Sequence, residues 1–167
     1  GNFSNVFFLT KKDRNSLKED KICVKVINEA KKDEIELFFK ELKILKILNT
    51  ETFKEDNGYE NIIKYIGYVY PKTTQVSEPF KKHIKEFGLI LEQMDKNLED
   101  CLIVNDYTKY YILFEVANGL SYLHKNLIIH NDLFCKNILI TYKDIDDLDI
   151  KVKIADFGIS YILKDAF

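Results

Sequence analysis

The chain has 167 residues, of which 46% are apolar and 31% are charged, and its formal net charge is -2. This balance excludes a disordered segment, and it provides no strong field that would attract nucleic acid or an anionic membrane. Three widely spaced cysteines exclude a disulfide framework and a paired zinc motif. No apolar run approaches the ~18 residues of a membrane span, and the start lacks a basic secretory signal, so we expect a globular cytoplasmic protein without a membrane segment.

The first half of the chain shows mainly the patterns of β-strands. Residues 6–10 and 21–27 are two predicted strands with a polar connection, which indicates a hairpin. Residues 61–70 and 87–94 are rich in β-branched and aromatic side chains, so they are two further predicted strands on either side of a long loop. Between these pairs, residues 32–48 have the period of an amphipathic helix, with a predicted buried stripe of Ile35, Phe38, Phe39, Leu42, Leu45 and Leu48.

The second half begins with a predicted helix at residues 107–125, which is apolar at helical spacing through Ile112, Leu113, Val116, Leu120 and Leu123. Short strands are predicted at residues 138–141 and 151–155. Strands therefore come first and helices follow, which predicts an α+β protein with a β-rich lobe and a helical lobe. The connector between them is expected near residues 93–97, and a cleft should lie between the lobes.

Polar side chains interrupt the apolar segments at a few positions. Asp132 and Asn137 lie between apolar runs in the stretch IIHNDLFCKNILI, and Asp156 follows the last predicted strand. Two carboxylates and an amide suit a hard cation such as Mg²⁺, which usually accompanies phosphates, better than they suit zinc. Lys25 lies within a predicted strand, where its charge must find a partner or face a cleft, and Glu41 on the following helix could be that partner.

Several stretches occur in the order of known signature motifs. The segments ICVK, FFKEL, HNDLFCKN and ADFGIS resemble the lysine strand, the glutamate helix, the catalytic loop and the metal-binding motif of a eukaryotic protein kinase. GNFSNV is similar to the end of the glycine-rich loop, and DFGIS and GLSYLHKNLIIH are most similar to the tyrosine-kinase-like group. The resemblance implies a two-lobe fold with the N-lobe at residues 1–94 and a truncated C-lobe at residues 95–167, which ends in the activation segment.

The resemblance also implies a role for each polar group. Lys25 would hold the α- and β-phosphates of ATP, and Glu41 would fix Lys25. Asp156 would bind Mg²⁺ that bridges the phosphates, and Asn137 would hold a second Mg²⁺. Asp132 would orient the attacking hydroxyl group and accept its proton. The resemblance therefore implies an ATP-dependent enzyme that phosphorylates a hydroxyl group of a protein substrate, which in the most similar group is usually that of serine or threonine.

The nucleotide would contact further residues that the resemblance assigns to the cleft. Leu91 would be the gatekeeper, and backbone groups of residues 92–94 would bind adenine. The glycine-rich loop would cover the phosphates. The residues whose side chains or backbone groups would contact the nucleotide are Gly1, Phe3, Val6, Cys23, Leu91, Glu92, Met94 and Leu139. His130, in contrast, is expected to pack against its neighbours, because Asp132 already fills the role of base.

The chain departs from the family pattern in four respects. Asn131 stands where most members have arginine, and Phe134 stands where serine/threonine kinases usually have lysine, whereas Lys136 resembles a basic residue of many tyrosine kinase loops. Ser4 replaces the third glycine of the glycine-rich loop. No Ala-Pro-Glu motif follows residue 158, so the chain is expected to be a fragment with weak or no activity of its own.

Two alternative functions stay open at this point. HNDLFCKN is similar to the loop of choline and ethanolamine kinases, which would act on small molecules instead of proteins. A pseudokinase that keeps the fold only as an interaction module would explain the altered glycine-rich loop. It would not explain why the costly polar residues Lys25, Glu41, Asp132, Asn137 and Asp156 are all present. Regulatory partners are not predicted by any motif.

Overall fold

The structure of the protein is a computed structural model that describes residues 4–12, 19–27, 32–50, 58–69, 87–101, 105–141 and 150–163. Gly1 and Phe3, which the resemblance assigns to the phosphates, lie outside the described residues. The connections predicted between the first two strands, before the fourth strand and between the last two strands also fall largely outside them. Within the described part of the chain, no helix combines the length and the apolar character that a membrane span requires.

The first half forms a four-stranded antiparallel sheet. Its strands are β1 (Ser4–Lys12), β2 (Glu19–Ile27), β3 (Tyr65–Val69) and β4 (Gly88–Glu92), in the order β1-β2-β4-β3. The predicted hairpin is confirmed, because β1 and β2 pair antiparallel over nine residue pairs from Ser4 and Ile27 to Lys12 and Glu19. The central strands β2 and β4 contain buried aliphatic residues: Val24, Val26, Leu89 and Leu91.

The strand that was predicted at residues 61–70 begins later than expected. Residues Tyr59–Asn61 form a single 3₁₀ turn, and β3 begins only at Tyr65. The Asn61 amide donates to Val152 O at 3.1 Å and to Glu115 Oε2 at 2.5 Å, so this segment is tied to the second half of the chain instead of the sheet. Tertiary hydrogen bonds thus override the local β-propensity of the sequence.

One helix, α1 (Lys32–Leu48), follows β2 with the bounds that its periodicity predicts. Phe38, Leu42, Leu45 and Leu48 are buried as expected. The prediction for Phe39 was wrong, because 43% of this residue is exposed. Its neighbour Phe38 occupies the centre of the buried face, and a step of one residue turns the helix by about 100°, which places Phe39 at the edge of that face.

The second half contains one long helix and two small sheets. Its elements are β5 (Lys96–Asn97), α2 (Asp106–Lys125), β6 (Ile128–Ile129), β7 (Ile138–Thr141), β8 (Lys151–Ile154) and β9 (Tyr161–Ile162). The sheets have the orders β5-β7-β8 and β6-β9. The Asn105 side chain caps α2 by accepting a hydrogen bond from the Thr108 amide at 2.7 Å. The α+β prediction is confirmed.

Helix α2 is amphipathic, with one face toward the core. Ile112, Val116 and Leu123 on that face are buried, whereas Leu113, which was predicted to be buried, is 62% exposed. The buried Tyr122 hydroxyl donates to Leu48 O at 2.8 Å, and this hydrogen bond satisfies a carbonyl at the C-terminus of α1. The two long helices of the described structure are therefore connected directly.

A glycine permits the close approach of the 3₁₀ turn to α2. Gly58 has a φ of 96°, which is left-handed, and a Cβ atom at this position would overlap the Asn118 carbonyl. Gly67 in β3 offers a matched control, because a Cβ there would meet only Ile90 Cδ1 at 3.8 Å. We expect Gly58→Ala to lower the free energy of unfolding by about 3 kcal/mol or more and Gly67→Ala by less than about 1 kcal/mol. Urea unfolding of both variants tests this, and equal effects would contradict it.

Candidate active site

Lys25 is the centre of a polar cluster that joins three elements. Its Nζ atom, on β2, donates to Oε1 and Oε2 of Glu41 on α1 at 3.0 and 2.9 Å. It also donates to Oδ1 of Asp156, just after β8, at 2.9 Å. An ammonium group has three N–H donors, so three carboxylate oxygens satisfy it completely. The structure therefore brings together the lysine and glutamate that the sequence suggested as a pair, and it adds Asp156.

The charges of this cluster shift one another's pKa values. Burial alone would lower the pKa of Lys25, but Glu41 and Asp156 raise it above its ordinary value. Burial raises the pKa of Glu41, and Lys25 opposes that rise. Burial would also raise the pKa of Asp156, but Lys25 brings it below the ordinary 3.8. Glu41, which is only 5% exposed, thus depends on Lys25 to keep its charge inside the protein.

Asp132 and Asn137 are bound to each other in the loop between β6 and β7. The Asn137 Nδ2 atom donates to Asp132 O at 2.7 Å and to Asp132 Oδ2 at 2.9 Å. Asn137 is buried, and its own carbonyl accepts a hydrogen bond from the Ala155 amide at 2.9 Å. This backbone bond places Asn137 beside the residue that precedes Asp156. Lys136 Nζ approaches Asp132 Oδ2 to 3.8 Å.

His130 holds the loop against the strand that leads to Asp156. Its Nε2 atom lies 3.0 Å from Ala155 O, and its Nδ1 atom accepts a hydrogen bond from the Asp132 amide at 3.3 Å. These partners require the neutral ring with its proton on Nε2, and burial lowers the pKa of His130 below 6.5. The ring also packs on Phe157 with 5.0 Å between centroids. These contacts agree with the predicted packing role.

Two polar residues of the site have left-handed backbone. Asn131 has a φ of 64° and Asp156 a φ of 66°. Asparagine and aspartate are the non-glycine residues that adopt this conformation most readily. The asparagine that departs from the family pattern therefore suits the backbone that its position requires. Such strain persists only where surrounding contacts enforce it, and it is common at functional sites.

The five polar residues that the sequence singled out share one cavity. Its volume is about 510 Å³, and its wall includes Lys25, Glu41, Asp132, Asn137 and Asp156. They come from positions up to 131 residues apart along the chain. The cavity lies between the first sheet with α1 and the second half of the chain, so it is the cleft that the order of elements predicted.

The residues that the resemblance assigns to adenine lie along the neighbouring strands. Val6 is opposite Lys25 in the β1–β2 pair, and Cys23 is opposite Leu91 in the β2–β4 pair. Leu91 and Met94 are buried. The described members of the set are Val6, Cys23, Leu91, Glu92, Met94 and Leu139.

The oxygen atoms that could bind a cation at this site suit Mg²⁺ together with phosphate. Asn137 donates through its Nδ2 atom, which leaves its Oδ1 oxygen as a possible ligand, and Asp156 uses only Oδ1 for Lys25. Among the described residues, no group of three or more His, Cys, Asp or Glu side chains could hold a metal by itself. Magnesium is usually bound by one or two protein carboxylates and by substrate phosphates, and Asp156 with the Oδ1 oxygen of Asn137 would be the protein part of such a site.

A second buried lysine, Lys153 on β8, was not predicted from the sequence. It is 6% exposed, and its Nζ atom donates to Glu60 O at 2.8 Å, Ile62 O at 3.3 Å and Glu92 Oε1 at 3.0 Å. Glu92 also accepts a hydrogen bond from the Lys64 amide at 2.6 Å. Alternation along KVKI would have indicated that Lys153 points away from its neighbours Val152 and Ile154, but not where its partners lie.

Glu34 in the first turn of α1 is another residue that the motifs did not indicate. It lines the same cavity as Asp132 and Lys136. Its Oε2 oxygen is buried and has no hydrogen-bond partner among the described residues. A buried carboxylate oxygen without a donor is costly, so this end of the cavity favours a hydrogen-bond donor or a cation.

Comparisons with known proteins agree with the motifs. The family model for protein tyrosine and serine/threonine kinases matches residues 1–166. The chain is 35% identical, over 123 residues, to a chain of Acanthamoeba polyphaga mimivirus that is named as a serine/threonine-protein kinase, an alignment of 70% of this chain and 21% of that protein. It is 29% identical over 148 residues to a mitogen-activated protein kinase homolog of Nicotiana tabacum, with 84% and 34% aligned.

A third relative is a tyrosine-protein kinase receptor of Caenorhabditis elegans, which is 26% identical over 141 residues. That alignment covers 84% of this chain and 11% of the receptor. The chain therefore spans between 11% and 34% of the lengths of these three relatives. All three are named as protein kinases, so they give no support to the choline or ethanolamine kinase alternative.

The buried His130 ring predicts a pH dependence of stability. Because its pKa is below 6.5 in the folded protein, the unfolded chain binds the proton first as the pH falls, and folding loses free energy below about pH 6.5. We expect urea unfolding between pH 7.5 and 5 to show this decline in the wild type. It should be smaller in His130→Gln and retained in His124→Gln, which keeps His130. Equal slopes in all three proteins would contradict the prediction.

The Lys153 network predicts that two lysines of β8 contribute very differently to the free energy of unfolding. Lys153→Met leaves two carbonyls and the Glu92 carboxylate without their ammonium donor, so we expect the free energy of unfolding to fall by about 2–4 kcal/mol. Lys151 is exposed on the same strand, and Lys151→Met should change it by less than about 0.5 kcal/mol. Urea unfolding at pH 7 measures both, and a Lys153→Met effect as small as the control would show that the network is not stabilising.

Proposed function

Because the chain belongs to the protein tyrosine and serine/threonine kinase family, we propose that it forms the nucleotide-binding and catalytic part of a protein kinase. The parent enzyme transfers the γ-phosphate of Mg-ATP to a serine or threonine hydroxyl group of a protein substrate. The observation that carries the proposal is the cavity in which Lys25, Glu41, Asp132, Asn137 and Asp156 meet. Phosphoryl transfer requires positioning and charge neutralisation, and these groups can provide both.

Lys25 is the group that binds phosphate in this proposal. Glu41 holds its ammonium group through two hydrogen bonds, so the side chain has a fixed direction into the cleft. Nucleotide phosphates would take over the N–H donor that Lys25 gives to Asp156. Asp156, whose side chain is 47% exposed, would then be free to bind the cation. Bound Mg²⁺ supplies positive charge that neutralises the phosphate oxygens.

Asp132 is the base in this proposal. Asn137 and Lys136 both approach its Oδ2 oxygen, which leaves Oδ1 for the hydroxyl group of an acceptor. Asn137 fixes the carboxylate through its Nδ2 atom, and its own Oδ1 oxygen would be the group that holds a second Mg²⁺. Asp132 would therefore orient the hydroxyl group and accept its proton during transfer.

Serine or threonine is proposed as the acceptor from the similarity of two segments to one group of kinases. One relative is named as a serine/threonine-protein kinase and another as a tyrosine-protein kinase receptor, so the family match alone does not choose. The proposal follows the similarity of DFGIS and GLSYLHKNLIIH to the tyrosine-kinase-like group.

We propose the cytoplasm as the place of action. All three cysteines are free thiols, which fits a reducing compartment.

We propose a lobe boundary between residues 94 and 95. Two consecutive connections support this position. The Gln93 amide donates to Lys21 O on the first sheet at 3.2 Å, and the Asp95 amide donates to Ile140 O on β7 at 3.2 Å. The chain thus passes from one sheet to the other within two residues, and in this proposal the base of the nucleotide would bind beside this connector.

Asp132→Asn tests the proposed reaction. We expect kcat to fall by about 10²–10⁴-fold in the full-length protein, because asparagine cannot accept the proton, while the Kd for Mg-ATP changes less than about threefold. Asp106→Asn, on the exposed first turn of α2, should retain wild-type activity. The assay follows labelled γ-phosphate from ATP into protein, with phosphoamino-acid analysis of the product.

Each outcome of this assay has a defined meaning. Phosphoserine or phosphothreonine that disappears in Asp132→Asn supports the proposal, and phosphotyrosine corrects the acceptor. Labelled choline or ethanolamine without labelled protein would replace it by the small-molecule alternative. No transfer to any acceptor by the wild type would indicate a pseudokinase.

A further inference from the structure

Cys23 lies on the same face of β2 as Lys25. Successive side chains of a strand alternate between its two faces, and Val24 and Val26 are buried on the other face with 7% and 3% exposure. The spacing between Cys23 and Lys25 is two residues, or about 6.6 Å along the strand. Cys23 is therefore the next residue on the Lys25 face of β2 in the direction of the connector.

The Cys23 thiol forms a hydrogen bond to the backbone carbonyl at the end of β4, just before the connector. Its Sγ atom donates to Glu92 O at 3.5 Å. Other contacts hold Glu92 in place, because its amide donates to Lys64 O at 3.0 Å and its side chain accepts a hydrogen bond from Lys153 Nζ at 3.0 Å. The carbonyl thus has a fixed position, and the thiol occupies part of its hydrogen-bonding capacity.

The thiol is a donor under ordinary conditions. Burial chiefly, and the Glu92 carboxylate in addition, raise the pKa of Cys23 to about 11, while Lys25 acts in the opposite direction. The group therefore remains S–H at neutral pH. An S–H group is a weak donor, and a carbonyl oxygen has two lone pairs, so the thiol weakens a second hydrogen bond to Glu92 O without excluding it.

We propose that Cys23 sets the base preference of the nucleotide site by competing for the Glu92 carbonyl. The inference rests on the proposed function, in which the phosphates are at Lys25 and the base lies beside the connector. Adenine presents a 6-amino donor and guanine a 6-oxo acceptor. A carbonyl without another hydrogen-bond partner favours adenine, because it can accept from the 6-amino group. A thiol beside it occupies part of the accepting capacity of the carbonyl. The thiol can also rotate to donate to the 6-oxo group of guanine. The wild-type site therefore discriminates weakly between ATP and GTP.

Removal of the thiol tests the proposal through relative affinities. In the full-length protein, we expect Cys23→Ala to raise the ratio of ATP affinity to GTP affinity at least about fivefold. Cys23→Ser, which restores a donor, should keep the ratio near that of the wild type. Cys101 offers a matched control, because its thiol also donates to a backbone carbonyl, Asn97 O at 3.1 Å, on the far side of the connector. Cys101→Ala should leave the ratio unchanged.

The affinities are measured by isothermal titration of non-hydrolysable ATP and GTP analogues with Mg²⁺. A second titration needs no variant: the wild type should bind the ATP analogue no more than about threefold better than its counterpart without the 6-amino group. If the wild type binds the ATP analogue more than tenfold better than this counterpart, the carbonyl is fully available to adenine. That result would overturn the inference even if Cys23→Ala does not fold.

The outcomes separate this inference from the proposed function. An unchanged ratio in Cys23→Ala, with both nucleotides bound, overturns the role of Cys23 and leaves the kinase proposal intact. A ratio that rises equally in Cys23→Ala and Cys23→Ser also overturns it, because a donor at this position then has no effect. Failure of the wild type to bind either nucleotide overturns the nucleotide site itself, and this inference with it.

Discussion

The complete pairing of the Lys25 ammonium group is the interaction on which the rest of the structure depends. It joins β2, α1 and the segment after β8 through three carboxylate oxygens, with both N–O distances to Glu41 and the distance to Asp156 at 3.0 Å or less. Charges inside a protein are tolerated only when they are paired, and removal of one partner leaves another charge exposed to a low dielectric. The position of α1 is therefore coupled to the position of Asp156.

A second buried lysine couples the same regions by another route. Lys153 on β8 binds the 3₁₀ turn after α1 and the Glu92 carboxylate at the connector. Asp156 follows Lys153 by three residues, so the two lysine networks meet on one short stretch of chain. The buried network around Asn61 and the Tyr122 hydroxyl adds further ties to α2. The cleft is thus built from rigid elements, which is a condition for precise positioning of a substrate.

The loop between β6 and β7 obtains its shape from the backbone and not only from its charged groups. The left-handed residues Asn131 and Asp156 are held by bonds on either side of them. His130 spans from the Asp132 amide to Ala155 O, and the Ser160 hydroxyl donates to His130 O at 2.7 Å. Pairing of β6 with β9 continues this connection. Buried neutral groups therefore fix the loop, while Asp132 and Asp156 remain accessible to the cleft.

Much of this architecture could be predicted from the sequence alone. The period of α1 determined both of its ends, and the order of HNDLFCKN and ADFGIS identified the residues that meet in the cavity. These features depend on local spacing, which a sequence contains. The exposure of Phe39 and Leu113, the late start of β3 and the burial of Lys153 were decided only by the tertiary structure. Each depends on which distant residue supplies a packing surface or a hydrogen-bond partner, and local periodicity carries no information about that.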